Sequence, residues 1–277
     1  MLGLKYKNTD TIFEERQVGG VPYLAYPLLE KTGIVRHGFS TRIGGVSKGN
    51  CATMNISTTR GDDPAAIEEN RRRIAAAIGV EPEDMTYTHQ THTTNVAVIR
   101  SEDRGKRFFE TDGMVTDVPG ICLVTFYADC VPLYFVDPVK KAIGLSHSGW
   151  RGTVNKMGMV TVRKMEECYG SDPQDIIAAI GPSICQDCYE VSEDVICEFR
   201  KNFRQEIWEE LFYKKENGKY QLNLWKANEE VLLEAGISRE NIAVTNLCTH
   251  CNPDILFSHR ATGDKRGNLS AFLALKK

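Results

Sequence analysis

Two hydrophobic rhythms alternate along this chain. In its middle, short apolar runs occupy 95–99, 120–127, 133–136 and 142–146, each bounded by turn-forming residues. Runs this short, with few polar interruptions, predict strands covered on both faces. Further strands are expected at 23–26, 34–39, 176–180, 241–245 and 269–275. The first of these lies between Pro22 and Pro27, which predicts an edge position, because proline cannot donate to a ladder. Elsewhere the period is helical. In 64–78, Ile74, Ala75 and Ile78 follow Ile67 by 7, 8 and 11 residues, which places all four on one face. Asp63 can cap this helix, Pro64 suits its first position and Gly79 its stop. Helices are also predicted at about 153–168, closed by Gly170, and at 192–203 and 223–235. Strands and helices mix without strict βαβ alternation. The expected fold class is therefore α/β (α+β), a single layered domain over 1–277 with mixed β-sheets flanked by helices, and not a doubly wound nucleotide fold.

Composition narrows the class. Of 277 residues, 42% are hydrophobic and 26% charged, which excludes a disordered, collagenous or coiled-coil chain. Net charge is −3, with 34 basic against 37 acidic residues, so no basic excess points to a nucleic-acid or membrane partner. No apolar run approaches the ~20 residues of a membrane span. The first ten residues show neither an apolar signal core nor a small-residue cleavage site, so a cytoplasmic, reducing location is expected. Nine cysteines, an odd number, cannot all pair within the chain and read as thiols or ligands.

Reactive side chains concentrate where predicted strands meet loops: His37 to Ser47, His89 to His92, Ala128 to Cys130, Ser146 to Gly152, Cys248 to Cys251 and Ser258 to Arg260. His92, Cys130 and His147 form a trio suited to a borderline-soft metal with an open position. Their spacings of 38 and 17 residues match no local motif, and a buried thiol with two satisfied histidines explains them equally well. The pairs Cys185/Cys188 and Cys248/Cys251 have the CxxC form of a structural zinc site. With 59 residues between them they read as unrelated thiols. Gly144 to Ser148 falls short of a nucleophile elbow because Ser148 stands where the second glycine belongs. Neither GxGxxG nor GxxxxGK[ST] occurs. Arg42 beside Gly44-Gly45, and Arg151 between Gly149 and Gly152, are candidates for holding an anion, because glycine permits close approach and arginine offers a planar fork. Asp129, next to Cys130, is expected to face the other way on one strand and to serve as support, unless Pro132 breaks that strand.

Taken in order, these stretches resemble the laccase-domain or polyphenol oxidase family, also called the peptidoglycan editing factor family. The resemblance is carried by His37-Gly-Phe-Ser-Thr-Arg42, Gly44-Gly-Val-Ser47, Gln90-Thr-His92, Thr111-Asp-Gly113, Ala128-Asp-Cys130, His147-Ser-Gly-Trp-Arg-Gly152, Ile180-Gly-Pro182, Cys188-Tyr-Glu-Val191 and Ser258-His-Arg260. Thr91 and Thr93 depart from the family's usual Gln-Val-His-Gly. The resemblance implies a zinc site at His92, Cys130 and His147, with copper as the alternative metal. It also implies phosphorolysis of adenosine, inosine and methylthioadenosine, with adenosine deamination beside it. In that reading purine nucleosides and phosphate are the partners and a monomer is compatible with the chain. Arg42 and Arg151 would hold phosphate, and His89 or Asp112 would protonate the leaving base. Two other readings stand beside it. One is a copper polyphenol oxidoreductase, for which six histidines are too few to build a trinuclear cluster. The other is an amidase editing cell-wall precursors, with Cys130 as nucleophile and His147 as base.

Overall fold

The computed structural model describes residues 2–277. Among them the strands form sheets of seven, six and three strands. The seven-stranded sheet runs Glu14–Val18, Val21–Ala25, Val35–Ser40, Leu269–Leu275, Cys122–Tyr127, Met85–His89, Arg107–Phe109. The six-stranded sheet runs Ile242–Val244, Ile177–Ile180, Val131–Asp137, Ala142–Ser148, Gly113–Thr116, Val96–Val98. Both mix parallel and antiparallel pairs.

The unbroken apolar runs are explained by the layers. Along Cys122–Tyr127, Leu123 and Tyr127 enter the core between the two large sheets, while Cys122, Val124 and Phe126 enter the core under the helix Pro64–Ile78. Along Val131–Asp137, Tyr134 and Val136 face the inter-sheet core, and Val131, Leu133 and Phe135 face the core that holds Val162, Met165, Val231 and Leu232 of the helices Met157–Tyr169 and Leu224–Glu234. Successive side chains of a strand point to opposite faces, so a strand buried on both shows no polar alternation. The order is helix, sheet, sheet, helices.

The helix Pro64–Ile78 has the bounds expected. Asp63 accepts from the Ala65 amide and Gly79 closes it at φ +81°. The other expected elements are met within a few residues, with three corrections. Val21–Ala25 is not an edge strand, because Glu14–Val18 pairs along its outer side. Pro22 is tolerated because the ladder to Val35–Ser40 includes only Tyr23 and Leu24. The helix expected at about 153–168 is broken in two, Trp150–Val154 and Met157–Tyr169, by Lys156 at φ +61°. Pro132 does not break its strand. Ile177–Ile180 pairs no further than Leu133, so the missing Pro132 amide interrupts no ladder on that side.

Candidate metal centre and cavity

Three strand ends converge at one end of the two large sheets. Cys122–Tyr127 belongs to one sheet and Val131–Asp137 to the other, so 128–130 is the step between them, and Cys130 stands at its far side. Asp129 does not share a strand with Cys130. It turns the chain at φ +83°, a conformation uncommon outside glycine. Its carboxylate accepts from Thr249 Oγ1 and from the Arg260 amide, both at 2.6 Å, and its carbonyl accepts from the Ile184 amide at 3.0 Å. The supporting role expected for Asp129 is therefore met, by a turn and not by strand alternation. His147 follows the inter-sheet Leu145 by two residues and points the same way, its ring 5.5 Å from Tyr127. His92 sits in the loop after Met85–His89 at φ +62°.

The potential ligand atoms of His92, Cys130 and His147 lie within 4.8 Å of one another, with His92 Nε2 3.8 Å from Cys130 Sγ. Asp112 ties two of the three together. Its carboxylate accepts the amides of Thr91, His92 and Thr93 at 3.1, 3.1 and 2.9 Å, and the Thr93 hydroxyl at 2.9 Å. It also meets His147 Nδ1 at 2.8 Å, and its own carbonyl accepts the His147 amide at 2.7 Å. Holding Nδ1 this way leaves Nε2 to face Cys130, the usual arrangement behind a ligating histidine. The two threonines that depart from the family pattern thus keep the loop's hold on Asp112.

The charges follow. Burial alone would raise Asp112, but the His147 bond and the backbone amides outweigh it and hold the carboxyl down to about 2. Asp112 is therefore ionised and its oxygens are engaged, which corrects its assignment as a proton donor to a leaving base. Burial would also raise Cys130, yet His147 and His92 bring it down to about 6. Burial would lower His147, yet the Cys130 thiolate and Asp112 raise it to about 9. The site stabilises the thiolate, the ligating form of cysteine.

A bound metal fits what is here. A Cβ built on Gly149 would lie 2.9 Å from His92 Cδ2 and 3.1 Å from Cys130 Sγ, so only the missing side chain keeps the space among the ligands open. The donor set of two imidazoles and one thiolate suits zinc or copper.

The trio opens onto a cavity of about 370 Å³. Of the other expected residues, His89 lines it, its ring 5.5 Å from Phe109 and its Nδ1 buried with no hydrogen-bond partner among the described residues. Arg42 and Arg151 do not line it. Arg42 donates to the carbonyls of Ala52 and Pro253 and stacks over Phe257 at 4.7 Å, so its charge is spent on holding loops. Arg151 is exposed and lies over its neighbour Trp150. The arginines of the cavity are Arg60, Arg107 and Arg266, of which Arg60 and Arg266 are each followed by a glycine, Gly61 and Gly267, the signal that could have found them. Burial and the nearby Arg60 lower Arg266, whose buried Nε has no partner among the described residues.

The two CxxC pairs, read from sequence as unrelated thiols, come together: the sulfurs of Cys185, Cys188, Cys248 and Cys251 also lie within 4.8 Å of one another.

Comparison with known proteins finds relatives over most of the chain. The family described as multi-copper polyphenol oxidoreductase laccase matches residues 36–276. A purine nucleoside phosphorylase of Bacillus subtilis, YlmD, is 35% identical over 248 residues, 87% of this chain and 88% of its own. An adenosine deaminase, RL5, from an unknown prokaryotic organism is 34% identical over 237 residues, 83% of this chain and 90% of its own. The crystal structure of YlmD from Geobacillus stearothermophilus superposes with a TM-score of 0.89 at 32% identity, covering 96% of this chain and 99% of that one.

Proposed function

The chain belongs to the multi-copper polyphenol oxidoreductase laccase family, and from that premise we propose a metal-dependent purine nucleoside phosphorylase with adenosine deaminase side activity. The observation that carries the reading is the convergence of His92, Cys130 and His147, braced by Asp112, on the wall of a cavity lined by arginines. The reading treats 1–277 as one domain working in the cytoplasm on adenosine, inosine or methylthioadenosine.

A zinc ion held by the trio would supply Lewis acidity at the cavity wall. In phosphorolysis a phosphate oxygen bonds to C1′ of the ribose while the bond from C1′ to the purine nitrogen breaks, and the purine takes up a proton. Arg60 and Arg266 would hold the phosphate, their fixed charge also meeting negative charge that shifts during the reaction. Phe126 offers an apolar surface to the base. His89 is the remaining choice among the two proton donors read from sequence, because it lines the cavity and its ring can carry the proton at either nitrogen. Asp112 positions His92 and His147 and touches no substrate. Deamination would use the same cavity for a different bond: a water oxygen bonds to C6 of the adenine while the bond from C6 to the amino nitrogen breaks, and that nitrogen leaves as ammonia.

Metal-quantified protein given adenosine and phosphate is expected to release adenine and ribose 1-phosphate. Cys130→Ala should lower that rate on the order of a thousandfold, the several kcal/mol that a metal contributes. A wild type that yields no free base, or a variant that yields as much as the wild type, rejects the reading.

A further inference from the structure

The four remaining clustered cysteines have no part in the cavity chemistry. Cys185 precedes and Cys188 ends the short turn Gln186–Cys188, and Cys248 and Cys251 lie on the loop that follows Ile242–Val244. The two arms are zipped before they reach the sulfurs. Ser183 and Cys248 form a parallel bridge, Ser183 N donates to the Leu247 carbonyl at 3.4 Å, and Thr249 N donates to the Ser183 carbonyl at 3.2 Å. The sulfurs all fall within 4.8 Å of one another, and Cys188 Sγ is 3.5 Å from Cys251 Sγ. Four sulfurs at ~2.3 Å from one tetrahedral zinc stand ~3.8 Å apart, which lies between those two distances. The Cys185 amide donates to Cys248 Sγ at 3.3 Å, the kind of outer hydrogen bond that settles charge on a ligating thiolate. Lys7 Nζ reaches Asp187, between Cys185 and Cys188, at 2.9 Å and brings a cation to the rim of a site that would carry excess negative charge. Cys185 and Cys248 are buried, while Cys188 and Cys251 are half-buried.

We propose that Cys185, Cys188, Cys248 and Cys251 bind a second, structural zinc ion. All four positions of the metal are taken by thiolates, so the site is closed to substrate. Its effect is mechanical. The arms it joins hold the turn before Cys130, because the Ile184 amide and the Thr249 hydroxyl both bond to Asp129. The same arm supplies the Cys188 carbonyl to Arg260 Nη1 at 3.2 Å, and the Arg260 amide is the remaining donor to Asp129. A zinc on the four cysteines therefore braces the strained residue that presents Cys130 to the cavity. The inference does not depend on which reaction the cavity performs.

The test is a zinc count on protein purified under reducing conditions. Wild-type protein should carry two equivalents, Cys130→Ala one and Cys251→Ser one. Cys251→Ser should also melt several degrees below Cys130→Ala, since it loses a metal that staples two loops. If Cys251→Ser does not fold, Cys130→Ala decides alone: its remaining zinc should show an X-ray absorption shell of four sulfurs at ~2.3 Å. A single equivalent in wild-type protein that Cys130→Ala removes overturns the proposal. So does a mixed nitrogen and sulfur shell, bound iron in place of zinc, or a mass deficit showing the four cysteines joined as disulfides. Activity lost in Cys130→Ala with one zinc retained separates this site from the cavity site.

Discussion

Two buried histidines and two cysteines at different stations of the same sheets behave in opposite ways. His147, 4% exposed at a strand end, is raised to about 9, whereas His37, 5% exposed within Val35–Ser40, is lowered to about 4. Cys130, in the step between the sheets, is lowered to about 6, whereas Cys122, inside Cys122–Tyr127, is pushed up to about 12 by burial. Burial penalises charge at all four positions. The difference lies in neighbours. His147 has Asp112 and Cys130, and Cys130 has two imidazoles. Inside the strands, His37 Nε2 accepts from the Tyr26 amide and must stay neutral to do so, and Cys122 is packed among apolar side chains. The strand interiors satisfy polar groups in their uncharged forms. The strand ends bring charged forms together, and perturbations of that kind are what a reactive site needs.

Asp112→Ala attacks the contrast at its root and should have the largest effect. It strips three backbone amides, a hydroxyl and His147 Nδ1 of their common acceptor, so the His92 loop loses its anchor. Breaking a buried, charge-bearing network of this kind costs about 3–5 kcal/mol. Chemical denaturation should show that loss, and the variant should no longer retain metal at the cavity. An unchanged denaturation midpoint with full metal content would show that Asp112 does not organise the site.

How far the sequence foretold this depends on the range of each signal. The helix Pro64–Ile78 was legible to the residue because its cap, its face and its stop are all local. Most strands buried on both faces were legible as apolar runs, but Gly113–Thr116 was not, because Asp112-Gly113 reads locally as a turn. Glu14–Val18 and Met85–His89 were not, the first because it is polar at the sheet edge and the second because buried threonines interrupt it. The trio was visible through a family pattern and not through its own spacing, since three segments meet only after two sheets have packed. The same long range hid the four-cysteine cluster, where 59 intervening residues looked prohibitive until Ser183 and Cys248 proved to be bridged. The two glycine-flanked arginines singled out from sequence are not the ones at the cavity. Arg42 is consumed by carbonyls, while Arg60 and Arg266, each followed directly by a glycine (Gly61 and Gly267), line the cavity.

His37 sharpens the other half of the comparison through pH. Its ordinary value of 6.5 falls to about 4 in the folded chain, first through burial and then through Arg16. The folded state therefore binds fewer protons than the unfolded state between these values. Stability from this group is complete above the unfolded value, falls as pH drops below it, and levels off below the folded one. Between pH 7 and pH 5 the loss is about 2 kcal/mol. Urea midpoints at the two pH values should move closer together in His37→Gln than in the wild type. An equal separation would mean that His37 is not held neutral.

The smallest effect expected is at the cavity's cations, and it tests whether the contrast extends to arginine. Arg42 donates from Nε and Nη1 to the carbonyls of Ala52 and Pro253, whereas Arg266 keeps a buried Nε without a partner among the described residues. A guanidinium held in that state beside a cavity is ready for an anion, and one charge-assisted hydrogen bond to it contributes about 1.5 kcal/mol at the low end. Arg266→Ala should then raise the KM for phosphate about tenfold and leave adenosine deamination, which needs no phosphate, close to the wild-type rate. The deamination assay is the internal control, because Arg266 Nη1 also bonds to Asn268 and a local collapse would depress both reactions. Equal losses in the two assays would make Arg266 a structural residue like Arg42, and the anion site would have to be sought at Arg60 and Arg107.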